Sequence, residues 1–405
     1  MRRTETLAYS ESRQQQSFPV SNTTAPAPYS THCTDCVDLL VLPRKCSCPR
    51  IGAGERRLPF LLCANLRESA DGFSESAESV ESVLLLCAAR LYDRPGMAEF
   101  KNQFSWSFTR HKNFSECRRR YYYHYYGSWN GWSADAPDQA RLAYRLKRMQ
   151  SLPMWLGDLV HRMIERVLGD LRNQEVNTVE SYQKQLRGWM NKEYAQSTEK
   201  KWMWKPKYNL NLFEHYYGEE IAAEQRAAAR DKVYGCLQHF LQSPVFTQLG
   251  KLRPTEWKTI EKLEQFEVGG RTVYLKIDCA TQAGGLTTIY DWKTGAQVDD
   301  AAAQLACYAL YACHSWRVPV ESQRLVSYYL DPDTVREHVP TAEELIDTKE
   351  FILASMGEMI GMLDGGVEKN RANAESFPMT DARGQCRRCF FREMCYGTRE
   401  WKEPQ

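Results

Sequence analysis

The spacing of apolar residues divides most of the chain into a helical part and a later part with strands. Between residues 107 and 250, apolar positions recur three and four apart, the period of a helix that packs on one face. This pattern predicts helices over about 107–126, 155–171 and most of 177–250, with Ser107 as N-cap of the first. The second helix shows the period best, in a stripe of apolar residues: Leu156, Leu159, Val160, Met163, Ile164, Val167 and Leu168.

Alternation of apolar and polar residues then takes over and predicts strands. Two strands, over 259–268 and 271–280, flank Gly269-Gly270, a residue pair typical of hairpins. A third strand over 286–293 follows another glycine pair, which makes an antiparallel meander. The remaining pattern predicts a helix, a strand and a helix: 299–316, 323–330 and 341–363. This order indicates an α/β core, a mixed sheet flanked by helices, with a helical insertion at about 172–250.

Residues 1–96 differ in sequence pattern from the rest of the chain. They show no sustained helical or strand period, which favours loop or disorder. Cys33-x2-Cys36 and Cys46-x-Cys48 suggest a zinc site, but no second CxxC follows at the right spacing, so the loop interpretation is preferred. Our hypothesis is that Met97 is the natural start, that 1–96 is an upstream extension of the reading frame, and that 97–405 is the functional domain.

Composition and charge exclude several protein classes. With 43% hydrophobic and 26% charged residues, the chain is globular rather than collagen-like, coiled-coil or wholly disordered. The net charge is only +2, so affinity for nucleic acid must come from local basic patches. No apolar run has the length of a membrane span, and we expect a cytoplasmic protein with no membrane partner. In a reducing compartment, fourteen cysteines point to metal or cluster ligation before disulfides.

Two carboxylates and a lysine are predicted to meet at one edge of the sheet. Asp291 and Lys293 are two apart on a strand and therefore share a face, and the hairpin places Asp278 on the neighbouring strand. Carboxylate oxygens are the ligands that Mg2+ prefers, and a lysine can stabilise a developing anion. Asp-x-Lys alone is common, and an ordinary charged surface hairpin is the alternative.

Two helices next to this hairpin carry further candidates. His161 and Glu165 are four apart on the preceding helix, and a histidine beside a carboxylate site is a candidate metal ligand. Gln304 and Tyr308 are four apart on the following helix. They either contact a nucleic-acid backbone or hold a polar edge of the core.

Three closely spaced cysteines in the tail suggest a metal centre. They form Cys386-x2-Cys389-x5-Cys395, and Cys117 is the obvious fourth donor. Four thiolates suit zinc or an iron–sulfur cluster, and the spacing does not choose between them. The other cysteines after residue 97 are expected to be small buried apolar residues: Cys236, Cys279, Cys307 and Cys313.

Basic residues concentrate in three segments, 97–132, 199–208 and 383–399, each with an excess of basic over acidic residues. Basic residues interleaved with Trp and Tyr suit single-stranded DNA, since aromatic rings stack on bases and cations follow phosphates. A solvated charged face is the alternative. The candidate DNA contacts outside the catalytic motifs are Arg118, Arg119, Lys201, Trp202, Trp204 and Lys205.

Taken in order, these motifs resemble the PD-(D/E)XK nucleases, and within them the RecB-like branch with an iron–sulfur cluster. That branch includes the AddB nuclease domain and the CRISPR-associated RecB-like exonucleases. The matching motifs run in the family's order: Cys117, Gly157-x3-His161-x3-Glu165, Ile277-Asp278, Tyr290-Asp291-Trp292-Lys293-Thr294-Gly295, Gln304-x3-Tyr308 and Cys386-x2-Cys389-x5-Cys395. Leu275 stands where the family often has glycine.

The resemblance implies a restriction-endonuclease-like core with a C-terminal cysteine tail, and a role for each matched residue. His161, Asp278, Asp291 and the carbonyl of Trp292 would bind catalytic Mg2+ or Mn2+, and Lys293 would be the catalytic lysine. Gln304 and Tyr308 would lie on the DNA side. The four cysteines of the pattern would bind a [4Fe-4S] cluster. The role of Glu165 stays open.

The expected function is a metal-dependent DNA nuclease, an exonuclease on single-stranded or frayed DNA in repair or DNA processing. The sequence has no G-x4-G-K-[ST] loop, so any helicase that works with it is a separate chain. The alternative is a catalytically inactive DNA-binding module with a structural iron–sulfur or zinc centre. Polarity, strand preference, pathway and oligomeric state are left open.

Overall fold

The computed structural model describes residues 101–295 and 300–401. Its helices are α1 (Phe108–Glu116), α2 (Arg118–Tyr122), α3 (Asp138–Leu146), α4 (Leu152–Arg172), α5 (Val179–Thr198), α6 (Phe213–Tyr216), α7 (Ala223–Gln242), α8 (Pro244–Leu249), α9 (Asp300–Ser315), α10 (Ala342–Gly361), α11 (Gly366–Lys369) and α12 (Arg392–Tyr396). Its strands are β1 (Trp257–Val268), β2 (Arg271–Ala283), β3 (Leu286–Lys293), β4 (Gln323–Tyr329) and β5 (Thr334–His338). The predicted extension 1–96 and its CxxC motif lie outside the described residues.

The strands form one mixed sheet in the order β1-β2-β3-β4-β5. The predicted meander of β1, β2 and β3 is antiparallel, β4 runs parallel to β3, and β5 returns antiparallel to β4. The parallel pair needs a crossover, which α9 supplies between β3 and β4. The mixed sheet with flanking helices expected from the sequence is confirmed.

Helices cover both faces of the sheet. On one face, α4 and α7 pack against Cys279, Tyr290 and Trp292 to form one apolar core. On the other face, α9 and α10 pack against Ile277 and Ile289. Because Ile277 and Cys279 fall on opposite faces although they are two apart, the alternation of β2 is broken at Asp278.

The first predicted helix is two helices with a break at Cys117. Ser107 caps α1 as predicted, because its hydroxyl accepts a hydrogen bond from the Arg110 N–H at 3.1 Å. Cys117 has an extended backbone, with φ −162° and ψ 117°, and separates α1 from α2. A π-helical turn, Tyr123–Gly127, follows α2. The extended backbone of Cys117 therefore interrupts the single helix that the sequence predicts over 107–126.

The helical insertion and the cysteine tail share a small third core. Trp202 and Phe213 from the insertion pack with Tyr123 and with Phe391 of the tail. Cys389 and Cys395 are half-buried against the same cluster. Among the described residues, no helix combines the length and apolar character needed to cross a membrane.

Candidate metal-dependent active site

The site lies where β2 and β3 separate. The last hydrogen-bonded pair of these strands on that side is Cys279 with Tyr290. Beyond it, the backbone N–H of Trp292 donates instead to Oδ2 of Asp278, at 2.8 Å. This contact fixes one carboxylate oxygen of Asp278 and opens the sheet between Asp278 and Asp291, which are only 6% and 1% exposed.

β1 and α4 each add a side chain to Asp278, and the three side chains form one group of candidate ligand atoms. His161 Nδ1 on α4 lies 3.1 Å from Oε1 of Glu261 on β1 and 3.6 Å from Oδ1 of Asp278. Ligand atoms of His161, Glu261 and Asp278 all lie within 4.8 Å of one another. Imidazole and carboxylate oxygens are a donor set that suits a divalent cation of the Mg2+ or Mn2+ type. The residues present therefore fit the metal that the resemblance implies.

Glu261 was missed by the sequence analysis, although a signal for it exists. Val268 pairs with Arg271 across the Gly269-Gly270 turn, and counting back from that pair places Glu261 opposite Asp278. Glu261 is a buried glutamate with a left-handed backbone, φ 50°, in the middle of a strand. Such a conformation is costly for a residue other than glycine and is typical of functional positions.

The acidic residues of this group determine the protonation of His161. Burial lowers the pKa of His161, but the attraction of Asp278 and Glu261 is larger in sum and raises it well above its ordinary value. Lys276 on β2 places its Nζ 2.6 Å from Oε2 of Glu261, so it balances the buried carboxylate. Glu165 is exposed one turn from His161, and burial and the nearby charge of Glu261 raise its pKa. Without a metal, the imidazolium of His161 and the ammonium of Lys276 supply the positive charge that balances the carboxylates of Asp278 and Glu261.

Asp291 and Lys293 form the second half of the site. Lys293 Nζ lies 2.8 Å from Oδ2 and 3.1 Å from Oδ1 of Asp291. Burial and the charge of Asp278 raise the pKa of Asp291 to about 7, although Lys293 and His161 lower it. Two neighbouring carboxylates that are both buried disfavour full ionisation, and a bound cation would remove that penalty.

Gln304 and Tyr308 hold Lys293 from the other side. Lys293 Nζ donates to Gln304 Oε1 at 3.0 Å, and Gln304 Nε2 donates to the Tyr308 hydroxyl at 2.5 Å. That hydroxyl in turn donates to the carbonyl of Lys276 at 2.7 Å. Tyr308 is only 3% exposed. The structure therefore places its hydroxyl inside the protein, in a hydrogen-bonded chain that reaches Lys293.

The four predicted cysteines lie near enough to one another for their charges to interact, although their sulfur atoms are not gathered within 4.8 Å as the ligand atoms of His161, Glu261 and Asp278 are. All four are free thiols. Burial and the neighbouring charges of Cys389, Cys117 and Cys386 raise the pKa of Cys395 to about 12. Burial also raises the pKa of Cys389, to about 11, with further contributions from Cys117 and Cys386. Cys389 and Cys395 thus disfavour their charged forms, which a metal centre bound by thiolates would stabilise.

The predicted DNA-contact residues differ in how far they are exposed to solvent. Trp202 is 5% exposed and packs on Tyr216, whereas Trp204 is 87% exposed. Lys201 pairs with Glu199 at 2.6 Å, and Lys205 is exposed.

The two arginines are tied to the protein. Arg118 stacks on Phe114 and pairs with Glu358, while Arg119 donates to the carbonyl of Phe377. Trp204 and Lys205 are thus the members of the set that face solvent most openly.

Two solved structures that resemble this chain do so only distantly. No curated protein matches the chain. Among solved structures, a candidate exonuclease from Eubacterium rectale is similar over 82% of this chain and 97% of its own, at 12% identity and a TM-score of 0.38. The structure of SSO0001 is similar over 44% of this chain and 79% of its own, at 16% identity and a TM-score of 0.23.

The family assignment comes from a sequence model of the PD-(D/E)XK nuclease superfamily, which matches residues 105–396. This range contains the mixed sheet, the helices on both of its faces, and every residue of the site described above. The fold is accordingly the restriction-endonuclease-like fold expected for that superfamily. The chain belongs to the PD-(D/E)XK nuclease superfamily.

Proposed function

We propose that this protein is a metal-dependent deoxyribonuclease, and that it acts as an exonuclease on single-stranded or frayed DNA. One observation carries the proposal: Asp278, Asp291 and Lys293 converge at the opening between β2 and β3, next to His161 and Glu261. A surface hairpin with ordinary charges would not bury these groups, because each buried charge costs free energy unless it is paired.

The proposed reaction is the attack of water on a phosphodiester phosphorus. When bound, Mg2+ or Mn2+ would neutralise charge on the phosphate and lower the pKa of the attacking water. His161, Glu261, Asp278 and Asp291 would hold the ion, with the predicted Trp292 carbonyl. Lys293, held by Asp291 and Gln304, would orient the water and donate to the phosphoryl oxygen that gains charge. The P–O bond to the leaving oxygen breaks, and that oxygen takes a proton.

The second element of the proposal is the [4Fe-4S] cluster of the RecB-like branch. Its support is the order Cys117 before the site and Cys386, Cys389 and Cys395 after it, together with the proximity of the four thiols. Exposed Trp204 with Lys205 supports contact with unpaired bases, since aromatic rings stack on any base. A role in repair or processing beside a helicase on another chain completes the proposal.

The alternative is a DNA-binding protein without catalysis. The hydrogen-bonded support of Lys293 argues against it, because a retired site has no physical need to hold a half-buried lysine between a buried carboxylate and an amide. Metal-dependent cleavage separates the two functions.

The test is an anaerobic assay of the full chain on end-labelled single- and double-stranded DNA, with Mg2+, Mn2+ or a chelator. We expect metal-dependent degradation that Lys293→Ala lowers at least a hundredfold, as for removal of a group that stabilises the transition state. Lys184→Ala, an exposed lysine on α5, is the matched control and retains activity. Equal binding by wild type and Lys293→Ala, with no cleavage by either, would favour the alternative.

A further inference from the structure

A second pocket lies at the far end of β2 from Asp278. It has a volume of about 730 Å3 and is lined by three segments and Trp129. The segments are residues 101–104, the start of β2 at Gly270–Thr272, and residues 367–371. Arg271 precedes Asp278 by seven residues on one strand, and a strand rises about 3.3 Å per residue, so the pocket lies roughly 23 Å from the catalytic carboxylate.

The pocket is strongly basic. Four cationic side chains line it, Lys101, Arg271, Lys369 and Arg371, against the single acid Glu368. Within the described ranges, Arg271, Lys369 and Arg371 take part in no ion pair. Arg271, Lys369 and Arg371 gather around the cavity and repel one another, and an anion that enters the cavity relieves this repulsion.

Its walls are held in place before any ligand binds. Asn370 is buried and has a left-handed backbone, φ 42°. Its Nδ2 donates to the carbonyl of Asn102 at 2.7 Å, and its Oδ1 accepts from the Tyr126 hydroxyl at 3.0 Å. The Asp364 N–H donates to the Arg371 carbonyl at 2.9 Å and closes the loop that carries Lys369. A rigid cationic pocket loses little entropy when it binds a ligand.

An aromatic ring stands beside the cations. The indole of Trp129 lines the pocket, and Trp132 braces it edge-on with ring centroids 5.2 Å apart. Cations with an aromatic face are the combination that recognises a phosphate and its base in single-stranded nucleic acid.

Two smaller cavities lie along β2 and α1 between this pocket and the candidate active site. Trp106 pairs with β2 where β3 has turned away, through Trp106 N–H to the Thr272 carbonyl and Tyr274 N–H to the Trp106 carbonyl, both 2.8 Å. A cavity of about 240 Å3 runs from Trp106 along β2 to Gln304. The next, about 230 Å3, runs from Gln304 and Lys293 past Lys112 and Arg120. The cavities follow residues 101–113 in order and end at the catalytic lysine.

We propose that this basic pocket binds the phosphodiester backbone of the strand that is cut, about 23 Å from the scissile bond. The identity of the ligand as DNA rests on the proposed function. At about 3.4 Å per stacked nucleotide, the distance corresponds to roughly seven nucleotides, and to fewer in an extended strand. Oligonucleotides shorter than this span can occupy the active site or the pocket but cannot bridge the two.

The test compares binding of short and long single-stranded DNA to the full chain without divalent metal, so that no cleavage occurs. The variant combines Arg271→Gln, Lys369→Gln and Arg371→Gln. We expect at least tenfold weaker binding of a 20-nucleotide strand and a much smaller loss for a 3-nucleotide strand, which never bridges the two sites. The salt dependence of the long strand should fall by about two, since each phosphate contact contributes about 0.7. The matched control, Lys184→Gln, Lys192→Gln and Lys349→Gln, removes the same charge from exposed positions elsewhere.

The other outcomes overturn the proposal. Equal weakening for both lengths shows a general effect of charge, and unchanged binding shows that the pocket takes no strand. Pyrophosphate and a mononucleotide are tested as competitors: if they bind in a manner that needs the three cations while long DNA does not, the ligand is a free nucleotide. Because binding is measured without metal, failure of the Lys293 assay leaves this result intact, and the reverse also holds.

Discussion

At the scale of single residues, the site depends on contacts that fix each functional group before a substrate arrives. Lys293 is held between Asp291 and Gln304, and Glu261 is held between His161 and Lys276. Glu261 is the residue whose role follows from geometry alone. Its strained backbone indicates that the surrounding structure favours this carboxylate at this place.

We predict that Glu261→Gln weakens metal binding and leaves the fold intact. Loss of one anionic ligand lowers the attraction for a divalent cation, and we expect at least a tenfold higher Mn2+ concentration for half-maximal cleavage. The measurement is a Mn2+ titration of activity, with Mn2+ affinity followed independently by electron paramagnetic resonance. Glu264→Gln, on the same strand and paired with Lys262, is the control. An unchanged Mn2+ requirement would remove Glu261 from the ligand set.

At the scale of elements, the π-helical turn Tyr123–Gly127 carries a half-buried titratable group. His124 in this turn packs edge-on against Phe391 of the tail. Burial and the nearby charges of Lys147, Arg120, Arg110 and Arg148 lower its pKa to about 3. The folded protein therefore keeps His124 neutral, whereas the unfolded chain protonates it below its ordinary pKa of 6.5.

We predict that this histidine makes the protein less stable in acid. Its folded pKa lies below its unfolded pKa, so the unfolded state binds more protons between pH 6.5 and about 3, and stability falls as the pH falls through that window. From pH 7 to pH 5 the loss is about 2 kcal/mol. Urea unfolding of wild type and His124→Gln at both pH values measures it. If both proteins lose the same free energy, His124 does not titrate as described.

The elements also show where the sequence pattern suffices and where it fails. The strand predicted over 286–293 agrees with β3, and the helix predicted over 341–363 agrees with α10, because both bury a regular apolar face. The edge strand β5 was not predicted. Its residues are mostly exposed, so apolar alternation, the signal for a half-buried strand, is missing there.

The site residues that lie on regular strands could likewise be predicted from the sequence, whereas features that arise from tertiary contacts could not. Asp278, Asp291 and Lys293 were found because strand register follows from the hairpin turn. The break at Cys117 and the strained backbone of Glu261 arise from tertiary contacts, which local spacing does not encode. The buried hydroxyl of Tyr308 is a similar case, since residues four apart share a helix face whether that face meets solvent or core.

At the scale of the whole molecule, the four candidate ligand cysteines lie near the beginning and the end of the family match. Cys117 lies between α1 and α2, while Cys386, Cys389 and Cys395 lie in the tail. A metal centre on these four thiolates would fix the tail against α2 and the helical insertion, where the third core already joins them. A crosslink between distant parts of a chain stabilises the folded state mainly by restricting the unfolded one.

We predict that Cys395→Ser removes the cluster and lowers thermal stability. Anaerobically purified wild type should be brown and contain about four iron and four sulfide per chain, if the centre is [4Fe-4S]. The variant should lose the colour, and its melting temperature should fall by several degrees. Cys313→Ser, a half-buried thiol on α9, is the control and keeps the colour. A colourless wild type with one zinc per chain would contradict the cluster.

The hydrogen bond from the Trp292 N–H to Asp278 also has a consequence for the choice of cation. It occupies one lone pair of Oδ2, so Oδ1 is the more open oxygen of Asp278 and chelation of an ion through both oxygens is disfavoured. Ca2+ favours six to eight oxygen ligands, often with bidentate carboxylates, whereas Mg2+ accepts single oxygens and keeps several waters. The parting of two strands thus favours small octahedral cations over large ones, and Ca2+ is expected to be a poor substitute.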